Sequence, residues 1–238
     1  MMLRSLSADF LKIRRKGIWF LIVLAPVGLV VMQALNYGLR FDYLSERYAD
    51  DPWNGLLINV SGFVPIALYL GCTLVSSLVA NVEHQLSSWK QLLALPISRT
   101  AVFSAKFLLC FLLLSVSCIL LPIGTVILGL CFGFNTEPMP YADLARMGFY
   151  PLLAALPLLA LQLWLSLTYR NPFLPVSLGV TISIISPFTM SLPAQFPLNW
   201  PVFGFSGPHR EAFVLAGLLV GSLILLMGMI HFNRKDVD

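Results

Sequence analysis

Charge is what this sequence has least of. Only 26 of its 238 residues carry one, 15 Lys or Arg and 11 Asp or Glu. That is 11% of the chain, against about 25% in an ordinary soluble domain. The distribution is more telling than the total. Six runs, 17–39, 52–82, 107–136, 147–169, 171–209 and 212–233, hold no charge at all and are 22 to 39 residues long. A spanning helix needs roughly 20 mostly apolar residues, so each run is long enough to cross a bilayer. A soluble globular enzyme is excluded. The alternation of a barrel strand is also missing, which leaves an all-α polytopic membrane protein, because lipid offers unpaired backbone groups no other partner.

Other absences narrow the chemistry. No Gly-x-x-x-x-Gly-Lys-[Ser/Thr] phosphate loop occurs, so the chain itself is not expected to bind ATP or act as an enzyme. No acidic or basic side chain lies in the middle of a span, where ion-coupled carriers need one to bind the driving ion. If the protein moves a solute, its energy comes from another subunit. Cys72, Cys110, Cys118 and Cys131 all sit in apolar runs without Cys-x-x-Cys spacing, and read as small buried hydrophobes. His84 has no second ligand at helical spacing, so no metal site is expected. One motif invites an enzymatic alternative. Gly204-Phe205-Ser206-Gly207 resembles the nucleophile motif of rhomboid intramembrane proteases. A serine nucleophile needs a base in reach. His209 lies in the same loop, and His231 is about 30 Å away along the next helix.

The charges that are present set an orientation. Six spans place both termini on one side. That side holds Arg4, Lys12, Arg14, Arg15, Lys16, Lys90, Arg99, Lys106, Arg170, Arg234 and Lys235; the other holds Arg40, Arg47, Arg146 and Arg210. The bias of eleven to four puts both termini in the cytoplasm. Trp19, Trp164 and Tyr169 then fall at the inner interface, and Tyr37, Trp53 and Tyr150 at the outer one. The net charge of +4 belongs to this topology, and no nucleic-acid partner is implied. The first apolar run is too long for a signal-peptide core and is expected to be retained.

Along the chain, Leu3, Leu6, Phe10 and Ile13 recur at helical spacing within residues 1–16. Basic neighbours make this segment an expected interfacial helix, held on the inner leaflet by its apolar face and by anionic headgroups. The six spans are expected at about 17–39, 56–82, 107–133, 148–168, 173–191 and 212–231, all within one permease-sized domain, 1–238. Residues 40–55 read as an external loop. Thr73, Ser76 and Ser77 form a small-polar patch suited to close helix packing. Residues 187–210 contain five prolines with Phe196, Trp200, Phe203 and Phe205. They read either as an external re-entrant cap, whose aromatics form an exit surface for an amphiphile, or as an apolar loop at the headgroups.

The most informative polar segment is 81–106. Leu86, Trp89 and Leu93 make an apolar edge, Pro96 ends the helix, and Ser98 can cap the next one. Such a helix suits docking into a partner's groove with the tryptophan as anchor, or lying on lipid. Glu83, at the mouth of the second span, is costly unless paired, and is expected to meet a base of the N-terminal helix or of a partner.

This stretch, Glu83-His84 followed by Trp89-Lys90-Gln91-Leu92-Leu93-Ala94-Leu95-Pro96-Ile97-Ser98-Arg99, resembles the first cytoplasmic loop of type-two ABC exporter permeases. It is most similar to those of lantibiotic-immunity and bacitracin-resistance transporters. The ending Phe232-Asn233-Arg234-Lys235-Asp236-Val237 resembles that family's Phe-x-Arg-Arg-Asp-Val, with Lys235 where arginine is commoner. The resemblance implies a permease that pairs with a second permease, as a homo- or heterodimer in a bacterial plasma membrane. A separate ATP-binding subunit, carrying the ATP and Mg, would dock on Phe10, Lys12, Glu83, Leu86, Trp89, Lys90, Leu93 and Pro96. The cargo would be a membrane-active peptide or a similar amphiphile, with other lipophilic drugs or lipid-linked compounds as the alternative.

Overall fold

The computed structural model describes residues 2–14, 17–85, 98–137 and 139–234. Among them every regular element is helical: α1 (Met2–Ile13), α2 (Ile18–Leu39), α3 (Phe41–Arg47), α4 (Pro52–Ser61), α5 (Val64–Gln85), α6 (Arg99–Cys131), α7 (Tyr141–Ala154), α8 (Leu156–Thr168), α9 (Phe173–Ile185), α10 (Trp200–Ser206) and α11 (Arg210–Arg234), with short 3-10 turns at Ser186–Ser191 and Pro197–Asn199. Among the described residues five helices are long and apolar enough to cross a membrane, or six if α7 and α8 form one bent span.

Proline decides where these helices start, bend and stop. The second span begins at Val64, eight residues later than the apolar run suggests, because Pro65 has no N–H to donate and fits only a first turn. Residues before it form α4, whose start is capped by Asp51 Oδ1 accepting from the Asn54 N–H at 3.0 Å. The expected loop 40–55 is therefore largely two short helices, α3 and α4. The fourth span is broken at Ala155, where α7 and α8 meet at a bend of 47°. Pro151 and Pro157 flank that break, and neither can donate to a helical ladder there. The third span is longer than expected. At 33 residues, or about 50 Å, α6 outruns a hydrocarbon core of roughly 30 Å.

α5 and α8 form the centre, with α2, α6, α9 and α11 around them. The outer helices show leucine, isoleucine and valine outward, among them Val23, Val27, Val31, Ile119, Ile123, Ile127, Leu219 and Leu223. Water cannot drive such surfaces together inside lipid, so close approach depends on small residues. α11 carries Gly217 and Gly221, four apart, against the α7–α8 break. A Cβ at Gly217 would stand 2.5 Å from Ala154 Cα, and one at Gly221 would stand 2.7 Å from Leu156 Cβ. No side chain fits between these backbones.

Polar bonds complete the packing. Gln162 of α8 is fully buried. Its amide, turned so that nitrogen meets Pro175 O at 3.1 Å and oxygen meets the Gly179 N–H at 3.2 Å, reaches into the backbone of α9. Ser183 Oγ donates to Ile66 O at 2.8 Å and Tyr69 Oη to Leu198 O at 3.0 Å. Tyr37 and Trp53 also turn into the protein, 3% and 1% exposed, rather than to a headgroup layer. Trp53 Nε1 donates to Asn135 O at 2.8 Å. Cys72 and Cys110 are buried as expected of small hydrophobes, but Cys131 is exposed at the end of α6.

Gly221→Val should push α11 off the α7–α8 break and destabilise the fold by about 1–3 kcal/mol, as overpacking does. Thermal unfolding in detergent should show it, whereas Leu223→Val on the outward face of α11 should change little.

Candidate functional site

Four charges meet where α1, α5 and α6 come together. Asp9 and Lys12 stand one turn apart on α1, Glu83 is in the last turn of α5, and Lys106 lies two turns into α6. Ser98 starts α6 as its N-cap, its Oγ accepting from the Ala101 N–H at 3.3 Å, and two turns on Lys106 is buried. Lys12 Nζ is 2.8 Å and Lys106 Nζ 3.0 Å from the same Glu83 Oε1. Asp9 Oδ1 lies 3.6 Å from Lys106 Nζ and 3.8 Å from Lys12 Nζ. The side chains of Glu83, Lys106 and Asp9 are 1%, 2% and 5% exposed, and that of Lys12 is 31% exposed.

Two positive and two negative groups balance, which is the condition for keeping charge in a medium that solvates it poorly. The balance is unequal in strength. Asp9 Oδ2 has no hydrogen-bond partner among the described residues. Burial raises the Asp9 pKa above its ordinary 3.8, and the opposing attraction of Lys106 and Lys12 does not restore it. Glu83, bonded to both lysines, is the hub.

Phe10 joins α1 to this end of the bundle, half-buried against the main core, while Leu6 and Ile13 are buried within it. Three residues of the apolar face of α1, Leu6, Phe10 and Ile13, thus pack on the bundle. Leu86, Trp89, Lys90, Leu93 and Pro96 lie outside the described residues, as do Lys235, Asp236 and Val237. The two ends of the 86–97 connection are nevertheless placed, and Glu83 and Lys106 tie them together.

At the opposite end, residues 186–206 form a folded unit around Asn199, which is fully buried. Its Nδ2 donates to Thr189 O at 2.8 Å, and its Oδ1 accepts from Thr189 Oγ1 at 2.6 Å. Prolines forbid a continuous helix here, yet Pro201 is compatible with the first turn of α10. Of the four aromatics expected at an exit surface, Trp200 and Phe205 turn inward. Trp200 is 7% exposed, with Nε1 donating to Gln195 O at 3.2 Å, and Phe205 is 8% exposed in the core around Trp53. Phe203 packs on Phe213 with centroids 5.4 Å apart, and Phe196 remains exposed. An indole N–H and a neighbouring core explain the inward turn. Ser206 Oγ donates to Val202 O at 3.0 Å within its own helix. Arg210 and Arg146 each place Nη1 3.1 Å from Asp143 Oδ1, joining the starts of α7 and α11.

Residues 5–186 match the family described as ABC-2 family transporter protein, which is well over half of the chain. The chain belongs to that family. No curated protein sequence matches it closely enough to count as a relative. As an ABC-2 protein it is the membrane component, the permease, of an ABC transporter, and membership implies an ATP-binding partner in general terms. The cluster found at its α1 end was only half legible. Glu83 and Lys12 stand out in the sequence as charges beside a span, whereas Asp9 and Lys106 read as ordinary flanking charges. The available signal was that both flank apolar helices at spacings that turn them toward buried neighbours.

Glu83→Gln should leave Lys106 buried with a weakened partner, at a cost of about 3–5 kcal/mol. Asp9→Asn should behave differently. Between 3.8 and its raised value the folded state holds a proton that the unfolded chain releases, so Asp9's contribution falls as pH rises through that window. Asp9→Asn should flatten this part of the pH–stability profile and leave stability at pH 7 no lower than the parent's. Thermal unfolding from acid to neutral pH checks both. A second expectation concerns the opposite end: Asn199→Ala removes the side chain that bonds Thr189 O, Thr189 Oγ1 and Leu192 O, and so loosens the turn at 186–191 from the segment that follows it. It should therefore increase the access of a membrane-impermeant thiol reagent to a cysteine placed at Trp200.

Proposed function

We propose that this ABC-2 protein is the permease of an ATP-driven exporter that expels a membrane-active peptide or a similar amphiphile. A separate subunit holds ATP and Mg2+ and hydrolyses it, and the present chain has no enzymatic role. Two permeases, identical or different, pair in a bacterial plasma membrane with both termini of this chain in the cytoplasm. The 86–97 connection is the docking element, with Trp89 as anchor and Leu86, Lys90, Leu93 and Pro96 around it.

The observation that supports this reading is the charge cluster. It joins α1 to both ends of the docking connection through Glu83, Lys12 and Lys106. A displacement delivered to the connection reaches α5 and α6 together and carries α1 with them, since parting Glu83 from Lys106 would weaken the pairing of two buried charges. The folded unit 186–206, held to α5 by the Tyr69–Leu198 hydrogen bond, then covers the far end of the path. Outward-facing apolar helices and the lack of mid-span charge fit a cargo drawn from the bilayer.

Coexpression with an ATP-binding partner tests the proposal. Trp89→Ala should abolish most peptide-stimulated ATP hydrolysis while membrane insertion stays normal; unchanged hydrolysis and copurification would reject Trp89 as anchor. Cells carrying the pair should survive a membrane-active peptide better than cells lacking it. Efflux of a lipophilic dye without such protection would move the cargo to the drug class.

A further inference from the structure

A groove of about 390 Å³ lies between α2, α5 and α6, away from the charge cluster. Its volume is at the lower end of the roughly 300–1,000 Å³ typical of small-molecule sites. Ala25, Gly28 and Met32 form one wall, Ala67 and Gly71 another, and Ser117 supplies the one hydroxyl among the described lining residues. Water has almost nothing to bond there. The lips, Leu24 and Leu70, are 49% and 36% exposed and continue the outward apolar surface of α2 and α5. The groove therefore opens to lipid.

Two further observations fit a bound chain. On α2 the lining runs from Leu21 to Met32, a rise of about 16 Å. That is about half the roughly 30 Å hydrocarbon core, the depth filled by the acyl chains of one leaflet. Gly28 is a poor helix former in mid-helix, and nothing lies within 4 Å of where its Cβ would stand. No described residue of the chain requires glycine at this position. Pro26, also lining the groove, removes a donor from the same stretch of α2. The α2 wall thus keeps its poorest helix formers beside open, dry space.

We infer that the α2–α5–α6 groove is a binding site for one acyl chain of a resident membrane phospholipid. The lipid seals a gap that the three helices cannot close and travels with them as part of the wall. This inference requires only that the helices span a membrane, and it stands whatever the cargo is.

Photolabelling tests it. The full chain is placed in palmitoyl-oleoyl phosphatidylcholine bilayers containing a trace of phosphatidylcholine with a diazirine on one acyl chain, and adducts are mapped. Adducts at Ala25, Met32 and Ala67 should saturate as probe is added. At low probe they should exceed those at outward-facing Leu219 by about tenfold, a preference of about 1.4 kcal/mol. Gly28→Leu, whose Cβ meets no described atom within 4 Å, should abolish the saturable labelling and leave Leu219 labelling unchanged; the latter also reports correct insertion. Groove labelling that rises linearly in step with Leu219 would mean bulk lipid and overturn the inference. So would an unlabelled groove beside a labelled Leu219, as a second copy covering it would produce. Loss of groove adducts on adding an equimolar membrane-active peptide would assign the groove to cargo and overturn it equally.

Discussion

Inside a bilayer the hydrophobic effect no longer tells one side of a helix from the other, and the architecture depends on what replaces it. Two substitutes operate in this protein: backbones brought into contact at small residues, and polar side chains that must find partners within the protein. Gly217 and Gly221 let α11 lie on the α7–α8 break. Gln162, Ser183 and Tyr69 join α8, α9, α5 and the 186–206 unit through bonds to backbone. Each bond is worth more than its own energy, because the alternative is an unsatisfied group where water cannot reach.

The same rule, applied to full charges, explains the α1 end. Glu83 and Lys106 sit where solvent is excluded, and each is compensated by charges of opposite sign. Lys12 and Asp9 bring α1 into the arrangement. A surface ion pair would hold these elements by under about 1 kcal/mol; a buried one makes them one mechanical unit. For a permease whose power stroke originates in another subunit, such a junction is where stiffness is most useful.

Much of this was readable beforehand. Charge-free runs give the spans, since a bilayer filters composition more strictly than any soluble fold does. The start of α5 beside Pro65 and the bend between Pro151 and Pro157 were not read from those runs, which put the second span at 56–82 and the fourth, unbroken, at 148–168. Glu83 announced its need for a base through its position alone. What stayed hidden was directional. Trp200 and Phe205 are aromatic in a proline-rich segment whether they face a lumen, lipid or core, and only the position of α10 beside α7 and α11 turns them inward. Tyr37 and Trp53 had the composition of an interfacial belt and the location of a core.

What the sequence determined by itself was everything set within a helix or by its transfer into lipid: the number and length of the apolar runs, the Ser98 cap and the membrane setting. These follow from local backbone chemistry and from the cost of burying charge. The tertiary structure decided which residues meet. Asp9 and Lys106 are 97 positions apart, and the groove beside Gly28 is built from three helices no one of which contains it. Contacts of that kind depend on the relative rotation and depth of packed helices, and in an apolar solvent the hydrophobic pattern does not encode those quantities.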